Sequence, residues 1–247
     1  SPFDLSAVDF LENIGMPAYK VASFEINDIQ LLRKIAKTGK PIIMATGIAE
    51  LADIEQALKT CIEAGNDQVI LLKCTSAYPT PYDEVNINML KTLRETFGCL
   101  VGISDHTFGA TVPILSVAMG GKMIEKHVTL KRSDGGTDSE FSMEMEEFEE
   151  MCKQVRMAEQ AMGTSRYYLT DSQKMERHFS RSLFIAEDME AGEIITEKNV
   201  RSVRPADGLH TMYFEDIVGK KVNRKLIKGT PMMWKFIDWS EDEEKKK

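Results

Sequence analysis

Several hallmarks of membrane and nucleic-acid-binding proteins are missing from this sequence of 247 residues. No apolar run approaches the ~20 residues that a membrane-spanning helix needs, and the opening Ser-Pro-Phe-Asp does not resemble a signal peptide. The formal net charge is −8, and no segment carries the basic stripe that would neutralise phosphates along a nucleic acid. The sequence therefore predicts a cytoplasmic protein that binds neither membranes nor nucleic acids.

Cysteine is scarce, and the four cysteines lack the spacing of a metal-binding motif. Cys61, Cys74, Cys99 and Cys152 stand singly in apolar or helical stretches. This pattern is typical of reduced thiols in a cytosolic protein and excludes a small domain stapled by disulfides.

The first two thirds of the chain repeat one unit, in which a short apolar strand is followed by a polar loop and an amphipathic helix. Successive strands begin 23 to 32 residues apart, which fits a strand and a helix and leaves no room for hairpins. The predicted strands are Ala18–Ser23, Pro41–Thr46, Gln68–Cys74, Leu100–Ser104 and Met123–Thr129. The predicted helices are Leu5–Ile14, Asp28–Lys37, Leu51–Glu63, Val85–Phe97, Ala110–Met119 and Glu144–Met162.

These units predict an α/β fold that corresponds to the C-terminal portion, about strands 4–8, of a (β/α)₈ TIM barrel. Five strands do not close such a barrel, so we expect this region to be part of a longer protein. Ser1-Pro2-Phe3-Asp4 has the character of the loop after a preceding strand. The alternative is an open, doubly wound parallel sheet.

After residue 163 the pattern changes. Residues 164–181 are polar and irregular and predict a linker. Residues 182–238 contain short strands at Ser182–Ile185 and Lys220–Val222, with glycine turns and no long amphipathic helix. A mostly-β domain of this size is marginally stable alone, so we expect it to lean on a partner surface. Residues 239–247 form a predicted charged tail.

Two histidines mark the ends of adjacent predicted strands. His106 follows Gly-Ile-Ser-Asp and His127 follows Ile-Glu-Lys, about one strand-to-strand step apart. Alternation along a strand places Ser104 on the same face as His106, and Glu125 on the same face as His127. We expect both imidazoles at the carboxyl rim of the sheet, where such barrels bind metals and substrates. The alternative is two core histidines bonded to the backbone.

Six motifs, in order, resemble the sialic acid synthase family, and the likeness covers essentially the whole chain. They are residues 17–25, 40–49, 71–81, 102–107, 124–129 and 138–142. Residues 201–209, Arg-Ser-Val-Arg-Pro-Ala-Asp-Gly-Leu, resemble the family's antifreeze-like or SAF domain, a small β-clip. Within the family, Ser-Phe-Glu at 23–25 and Lys-Cys-Thr-Ser-Ala-Tyr-Pro at 73–79 are most similar to pseudaminic acid synthases.

The resemblance implies a transferase that condenses phosphoenolpyruvate with 2,4-diacetamido-2,4,6-trideoxy-L-altrose and water, giving a nonulosonic acid and phosphate. Alternatives are an N-acetylneuraminate or legionaminate synthase, or another metal-dependent barrel enzyme such as an aldolase or a deoxy-heptulosonate-type synthase. A further alternative is an inactive fragment or pseudoenzyme that binds a carbohydrate or a partner chain. Because the family's first two strands also supply ligands, we expect the 247 residues alone to have little or no activity.

The resemblance also implies a metal and an anion site. His106 and His127 would hold Mn²⁺ or Mg²⁺ as the Lewis acid, leaving positions open for water and the sugar carbonyl. Lys20 lies in an otherwise apolar strand, where an unpaired ammonium is costly, and matches a phosphoenolpyruvate ligand; the alternative is a lysine that extends past the strand end to solvent. Further phosphoenolpyruvate donors by motif are Ser23, Ser76 and Ser104. Ser1 lies where the family has another hydroxyl residue that contacts the same ligand.

Ala45 departs from the family pattern, because a serine usually stands there; Thr46 or backbone amides would have to replace that donor.

The acceptor sugar would contact Glu25, Tyr78 and Asp138, which match family residues that bind its hydroxyl and amide groups. Each has a plain structural alternative, as a helix N-terminal charge, a packing residue or a turn residue. Arg204 resembles the arginine with which the SAF domain of one subunit reaches the acetamido group in the other. The resemblance thus implies a homodimer with SAF capping in trans.

Overall fold

The computed structural model describes residues 1–239 of the chain. It separates into two compact units, Ser1–Thr164 and Ser165–Lys247, which are described one at a time. Residues 240–247, which hold nearly all of the predicted charged tail, lie outside the described residues. No helix among the described residues has the length and apolar character needed to cross a membrane.

The first unit alternates strands and helices along the chain. A parallel sheet follows the sequence order β1-β2-β3-β4-β5 and curls into part of a barrel. A doubly wound sheet would reverse its strand order part-way, so that alternative is wrong. The strands are β1 (Tyr19–Val21), β2 (Ile42–Ala45), β3 (Val69–Cys74), β4 (Leu100–Asp105) and β5 (Ile124–Lys126). The helices are α1 (Leu5–Asn13), α2 (Ile29–Ala36), α3 (Leu51–Glu63), α4 (Met89–Phe97), α5 (Thr111–Ala118) and α6 (Met145–Met162).

The outer face of this sheet carries the main hydrophobic core. Tyr19 and Val21 on β1, Met44 on β2 and Leu71 on β3 are all 0–1% exposed. They pack with apolar residues of the surrounding helices, such as Leu31, in one cluster. Because side chains alternate along a strand, the residues between them turn to the inner face, where Lys20 and Ser104 lie. The helices therefore cover one face of the sheet and leave the other to the site.

Several elements are shorter than the sequence predicts. Helix α4 begins at Met89 rather than Val85, because Asn86 has a positive φ of 45° and interrupts the helical path. Strand β5 ends at Lys126, so His127 stands just beyond the strand. Helix α4 ends where expected, at Phe97, and is capped by Gly98, whose φ of 65° is the left-handed conformation that glycine adopts without strain.

The second unit is built from two short antiparallel pairs. β6 (Ser182–Ile185) pairs with β7 (Val200–Val203), and β8 (Lys221–Val222) pairs with β9 (Ile237–Asp238). The buried side chains of this unit form a separate core around Leu183, Ile185 and Val222. Its helices are short: α7 (Asp171–Glu176) and α8 (Phe214–Ile217).

The predicted linker is not wholly irregular. Helix α7 lies within it, capped by the Thr170 hydroxyl, which accepts a hydrogen bond from the backbone of Gln173, while the Gln173 side chain accepts one from the backbone of Thr170. This reciprocal capping box starts a helix in a segment whose polar composition gives no helical periodicity.

Candidate functional site

The two histidines meet at the carboxyl rim of the sheet. His106 directly follows β4 and His127 directly follows β5. Their ring centroids are 5.1 Å apart, and the ring planes are inclined by 71°. His106 is 6% exposed, whereas the side chain of His127 is 32% exposed. The prediction that both rings lie side by side at this rim agrees with the geometry.

Each imidazole has its Nδ1 atom turned toward an oxygen acceptor. His106 Nδ1 lies 3.1 Å from the carbonyl oxygen of Thr75, and because a carbonyl only accepts, this nitrogen carries the proton. His127 Nδ1 lies 3.5 Å from Oδ2 of Asp138. Both arrangements leave Nε2 as the nitrogen with a free lone pair, and an oxygen partner on the opposite nitrogen is the usual support of a metal-binding histidine.

Burial and neighbouring groups shift the titration of the two rings in opposite directions. Burial lowers the pKa of His127, and the nearby His106 lowers it further. Burial also opposes the charged form of His106, but hydrogen bonds to Cys74 and to the Thr75 carbonyl outweigh it and raise the pKa of His106. Burial likewise opposes ionisation of Cys74, yet hydrogen bonds with His106 and Ser23 lower the pKa of this thiol.

The histidine pair fits a divalent cation in part. Nitrogen–metal distances are about 2.0–2.1 Å, so two rings at this separation can reach one ion. Among the described residues, no group of three or more histidine, cysteine, aspartate or glutamate side chains is arranged to hold a metal. Two protein ligands leave positions for water or substrate oxygen, which suits an exchangeable Lewis acid and not a closed structural site.

A charged pair lies beside the histidines on the inner face. Lys20 Nζ on β1 is 3.4 Å from Oε1 of Glu125 on β5. The same carboxylate accepts a hydrogen bond of 2.7 Å from the Ser104 hydroxyl on β4. Lys20 therefore meets an anionic group across the sheet rather than extending past it to solvent. Its side chain is 18% exposed, so the ammonium is partly shielded from water.

A second cluster forms around Gly47, in the loop after β2. Its backbone N–H donates to the Ser23 hydroxyl at 3.1 Å. A Cβ at this glycine would lie 2.2 Å from Ser76 Oγ, 2.7 Å from Ser23 Oγ and 3.0 Å from Cys74 Sγ. The absent side chain thus leaves room for two hydroxyls and a thiol to pack close to the Gly47 backbone. Such a concentration of small donors at the rim suits an anionic ligand.

Two buried oxygens in the part of the chain that the structure describes have no hydrogen-bond partner. They are Oγ of Ser76 and Oε2 of Glu25, and both residues are predicted to bind substrate. Burying a polar atom without a partner is costly, so such an atom points to a ligand that completes its bonding.

Aromatic rings line the side of the histidine pair. The Tyr78 ring is centred 4.2 Å from that of His106 and 6.1 Å from that of His127. Phe141 stands 5.0 Å from the ring of His127 and is 6% exposed. Asp138 contacts His127, so the segment 138–142 brings a carboxylate and a ring face to the same place. Tyr78 is 47% exposed and remains accessible to a ligand.

Three predicted positions of the first unit do not join these clusters, and a fourth lies in the second unit. Glu25 shares no described hydrogen bond or ion pair with the other predicted site residues, and Ser1 is exposed. Ala45 is buried at the end of β2, and the Thr46 hydroxyl donates to the carbonyl of Leu72, so its proton is already engaged. Arg204 is exposed in the second unit, where its guanidinium makes no hydrogen bond or ion pair within the described residues.

Three residues that the sequence reasoning did not assign to the site contribute to it. Glu125 links Lys20 and Ser104. The signal in the sequence was strand alternation, which places Glu125 on the same face as His127. Cys74 lies 3.9 Å from His106 Nδ1, on the inner face by the same alternation. Phe141 is an apolar residue inside a polar loop, and nothing in its spacing indicates contact with His127.

Known proteins resemble this chain in sequence and in fold. Residues 1–167 match the model of the NeuB family, and residues 180–238 match that of the SAF domain. The chain is 42% identical to a pseudaminic acid synthase of Campylobacter jejuni over 93% of this chain and 67% of that protein. It is 38% identical to an N,N'-diacetyllegionaminic acid synthase of the same species, over 89% of this chain and 67% of that protein. The crystal structure of the spore coat polysaccharide biosynthesis protein SpsE from Bacillus subtilis matches with a TM-score of 0.64 at 29% identity, over 97% of this chain and 73% of that one.

Proposed function

This chain belongs to the NeuB family, whose members include synthases of sialic acid type, and we propose that it is the synthase of a nonulosonic acid of the pseudaminic type. The proposed reaction joins the methylene carbon of phosphoenolpyruvate to the aldehyde carbon of 2,4-diacetamido-2,4,6-trideoxy-L-altrose. Water adds to the carbon that bears the phosphate, and inorganic phosphate leaves. Family membership favours this chemistry over that of aldolases and deoxy-heptulosonate-type synthases, which would not account for the SAF domain.

One observation carries the proposal. Two imidazoles with free Nε2 atoms stand beside a lysine, a carboxylate and several hydroxyls at the carboxyl rim of a parallel sheet. A condensation of this kind needs cationic and hydrogen-bonding groups for an anionic substrate, and a fixed orientation of two reactants. Residues near the histidine pair can meet each of these requirements.

The residues divide by chemistry. His106 and His127 would hold a divalent cation, Mn²⁺ or Mg²⁺, which when bound supplies a Lewis acid for the aldehyde oxygen. Lys20 offers an ammonium to the carboxylate or phosphate of phosphoenolpyruvate. The Ser76 hydroxyl, which lacks a partner, is a further donor to the same anion.

Tyr78, Asp138 and Glu25 would orient the acceptor sugar. The half-exposed Tyr78 ring provides a flat face together with a hydroxyl, and the two carboxylates accept hydrogen bonds from sugar hydroxyl and amide groups. Glu125 holds Lys20 through an ion pair and holds Ser104 by accepting a hydrogen bond from its hydroxyl.

The substrate assignment is tested with the product of the complete reading frame. Phosphate release from phosphoenolpyruvate is followed with three acceptors: the L-altro sugar, the legionaminate precursor and N-acetylmannosamine. We expect kcat/KM for the L-altro sugar to exceed the other two by at least about tenfold, because hydroxyl-binding groups reject wrong configurations. Equal or better turnover of the legionaminate precursor would assign the chain to that subfamily instead.

We further propose that the enzyme is a homodimer in which Arg204 of each SAF domain binds the acetamido group of the sugar held by the other subunit. The exposed guanidinium has planar donors that suit an amide carbonyl. Arg204→Ala should raise KM for the sugar at least about tenfold while leaving KM for phosphoenolpyruvate nearly unchanged, whereas Arg201→Ala serves as the matched control.

Mixed dimers test delivery in trans. Arg204→Ala and His106→Ala proteins, each weak or inactive alone, are combined under conditions in which the subunits exchange. Capping in trans predicts that each mixed dimer regains one good site. If exchange is demonstrated and no activity returns, the arginine does not act across subunits.

A further inference from the structure

We propose that the buried ion pair of Asp105 and Lys126 is a positioning device that fixes the distance between the two histidines. The inference rests on the proposed function in one respect, the use of His106 and His127 as cation ligands. The pair itself does not touch the candidate ligand site, and no step of the proposed reaction employs it.

Each polar side-chain atom of Asp105 and Lys126 has a hydrogen-bond or ion-pair partner. Lys126 Nζ lies 2.7 Å from Oδ2 of Asp105 and donates to the carbonyl of Thr107 at 2.5 Å. The two side chains are each only 2% exposed. Asp105 also accepts from the Thr107 backbone N–H at 3.0 Å and from its hydroxyl at 3.1 Å. One carboxylate and one ammonium thereby clamp the end of β4, the end of β5 and the residue that follows His106.

The register of the two strands explains what this clamp controls. Ser104 stands opposite Glu125, and Asp105 stands opposite Lys126. The next residues along the two strands are His106 and His127. Because successive side chains point to opposite faces, the ion pair lies on the outer face between two inner-face pairs. It is the last cross-strand contact before the chains leave the sheet at the histidines.

A charged pair suits this task better than an apolar one. Slippage by one residue would turn side chains to the opposite face and separate Asp105 from Lys126. An unpaired buried charge is strongly unfavourable, so this register is specified. By contrast, the lysine–carboxylate pair of Lys40 with Glu12, outside the strands, is 27% and 36% exposed and would lose little on rearrangement.

The test compares binding of Mn²⁺ alone, measured by electron paramagnetic resonance of the free ion, in four forms of the full-length protein. They are the wild type, Lys126→Met, Lys40→Met and the double variant Asp105→Leu/Lys126→Met. The double variant guards against misfolding, because replacing both charges with apolar groups leaves no unpaired ion. We expect Mn²⁺ affinity to fall at least about tenfold in the double variant and to stay within about twofold of the wild type in Lys40→Met.

Hydrogen exchange without metal separates this inference from the proposed function. In the folded double variant, amides of segments 101–108 and 122–129 should exchange faster, while those of β1 and β2 should not change. Unaltered exchange in both segments would overturn the positioning role. If the wild type binds Mn²⁺, unaltered Mn²⁺ affinity in the double variant would overturn it as well. A wild type that binds no Mn²⁺ would refute the proposed cation site, and the exchange result alone would then decide whether the pair orders the strand ends.

Discussion

The two faces of the five-stranded sheet are made by the same strands and do different work. On the outer face, Val21 and Leu71 are fully buried against the helices. On the inner face, the neighbours of such residues include Lys20 and Ser104, which take part in hydrogen bonds and ion pairs across the sheet. A single step along a strand thus changes a residue's role from packing to chemistry.

The division changes at the carboxyl rim. There the outer face becomes polar as well, with the Asp105–Lys126 ion pair, while the inner face carries His106 and His127. In barrels of this type the catalytic residues lie at the carboxyl ends of the strands. The polar pair on the outer face marks the level at which residues that pack the core are replaced by residues that support the site. The comparison predicts that substitutions on the two faces will damage different properties.

The largest effect is expected from the inner face at the rim. His106→Ala or His127→Ala in the full-length enzyme should reduce turnover to background, because the two imidazoles hold the proposed Lewis acid. The melting temperature should change little, because neither ring belongs to the main core. His178→Ala, which removes an exposed histidine of the second unit, is the control and should leave turnover unaltered.

Removal of the metal should mimic these variants. Treatment with EDTA should abolish turnover, and added Mn²⁺ should restore it. Full activity in the His106→Ala/His127→Ala double variant would end the metal hypothesis for this site.

The next effect lies on the outer face. Leu71→Ala removes a fully buried side chain between sheet and helices and should lower the free energy of unfolding by about 2–5 kcal/mol. Ile62→Ala, at a position 59% exposed on α3, should cost much less. Urea titration measures both. Below the unfolding transition, turnover per folded molecule should be retained in Leu71→Ala, and a loss comparable to that of the histidine variants would show that the faces are not separable.

Sequence periodicity was sufficient for the barrel portion of the fold. The apolar strands and amphipathic helices follow local rules, so their order and most boundaries were predictable. The early part of α4 was not, because a positive φ at Asn86 is set by the surrounding loop rather than by the periodicity of Val85–Phe97. Helix α7 was missed because a capping box rather than an apolar stripe starts it.

Site residues that lie on regular strands were predictable from the sequence. Alternation and motif resemblance placed His106, His127 and Ser104 on one face. Contacts between distant segments were beyond such reasoning. The partner of Lys20 is Glu125, 105 positions later in the chain, and Phe141 reaches His127 from an irregular loop. The Asp105–Lys126 pair is visible in the sequence as two charges beside two histidines, but only strand register shows that they face each other.

The smallest expected effect concerns two thiols on opposite sides of the sheet. Cys74 on the inner face has a lowered pKa, whereas burial in the helix layer raises the pKa of Cys61 from 9.0 to about 11. Between these values the unfolded chain releases the Cys61 proton and the folded chain retains it. The stabilisation from the neutral buried thiol is therefore complete below pH 9 and is lost as the pH rises toward 11. Over that range, the stability of the wild type should fall relative to that of Cys61→Ala in urea titrations. Cys152→Ala, at an exposed thiol, should track the wild type at every pH, and parallel curves for Cys61→Ala and the wild type would show that burial does not shift this thiol.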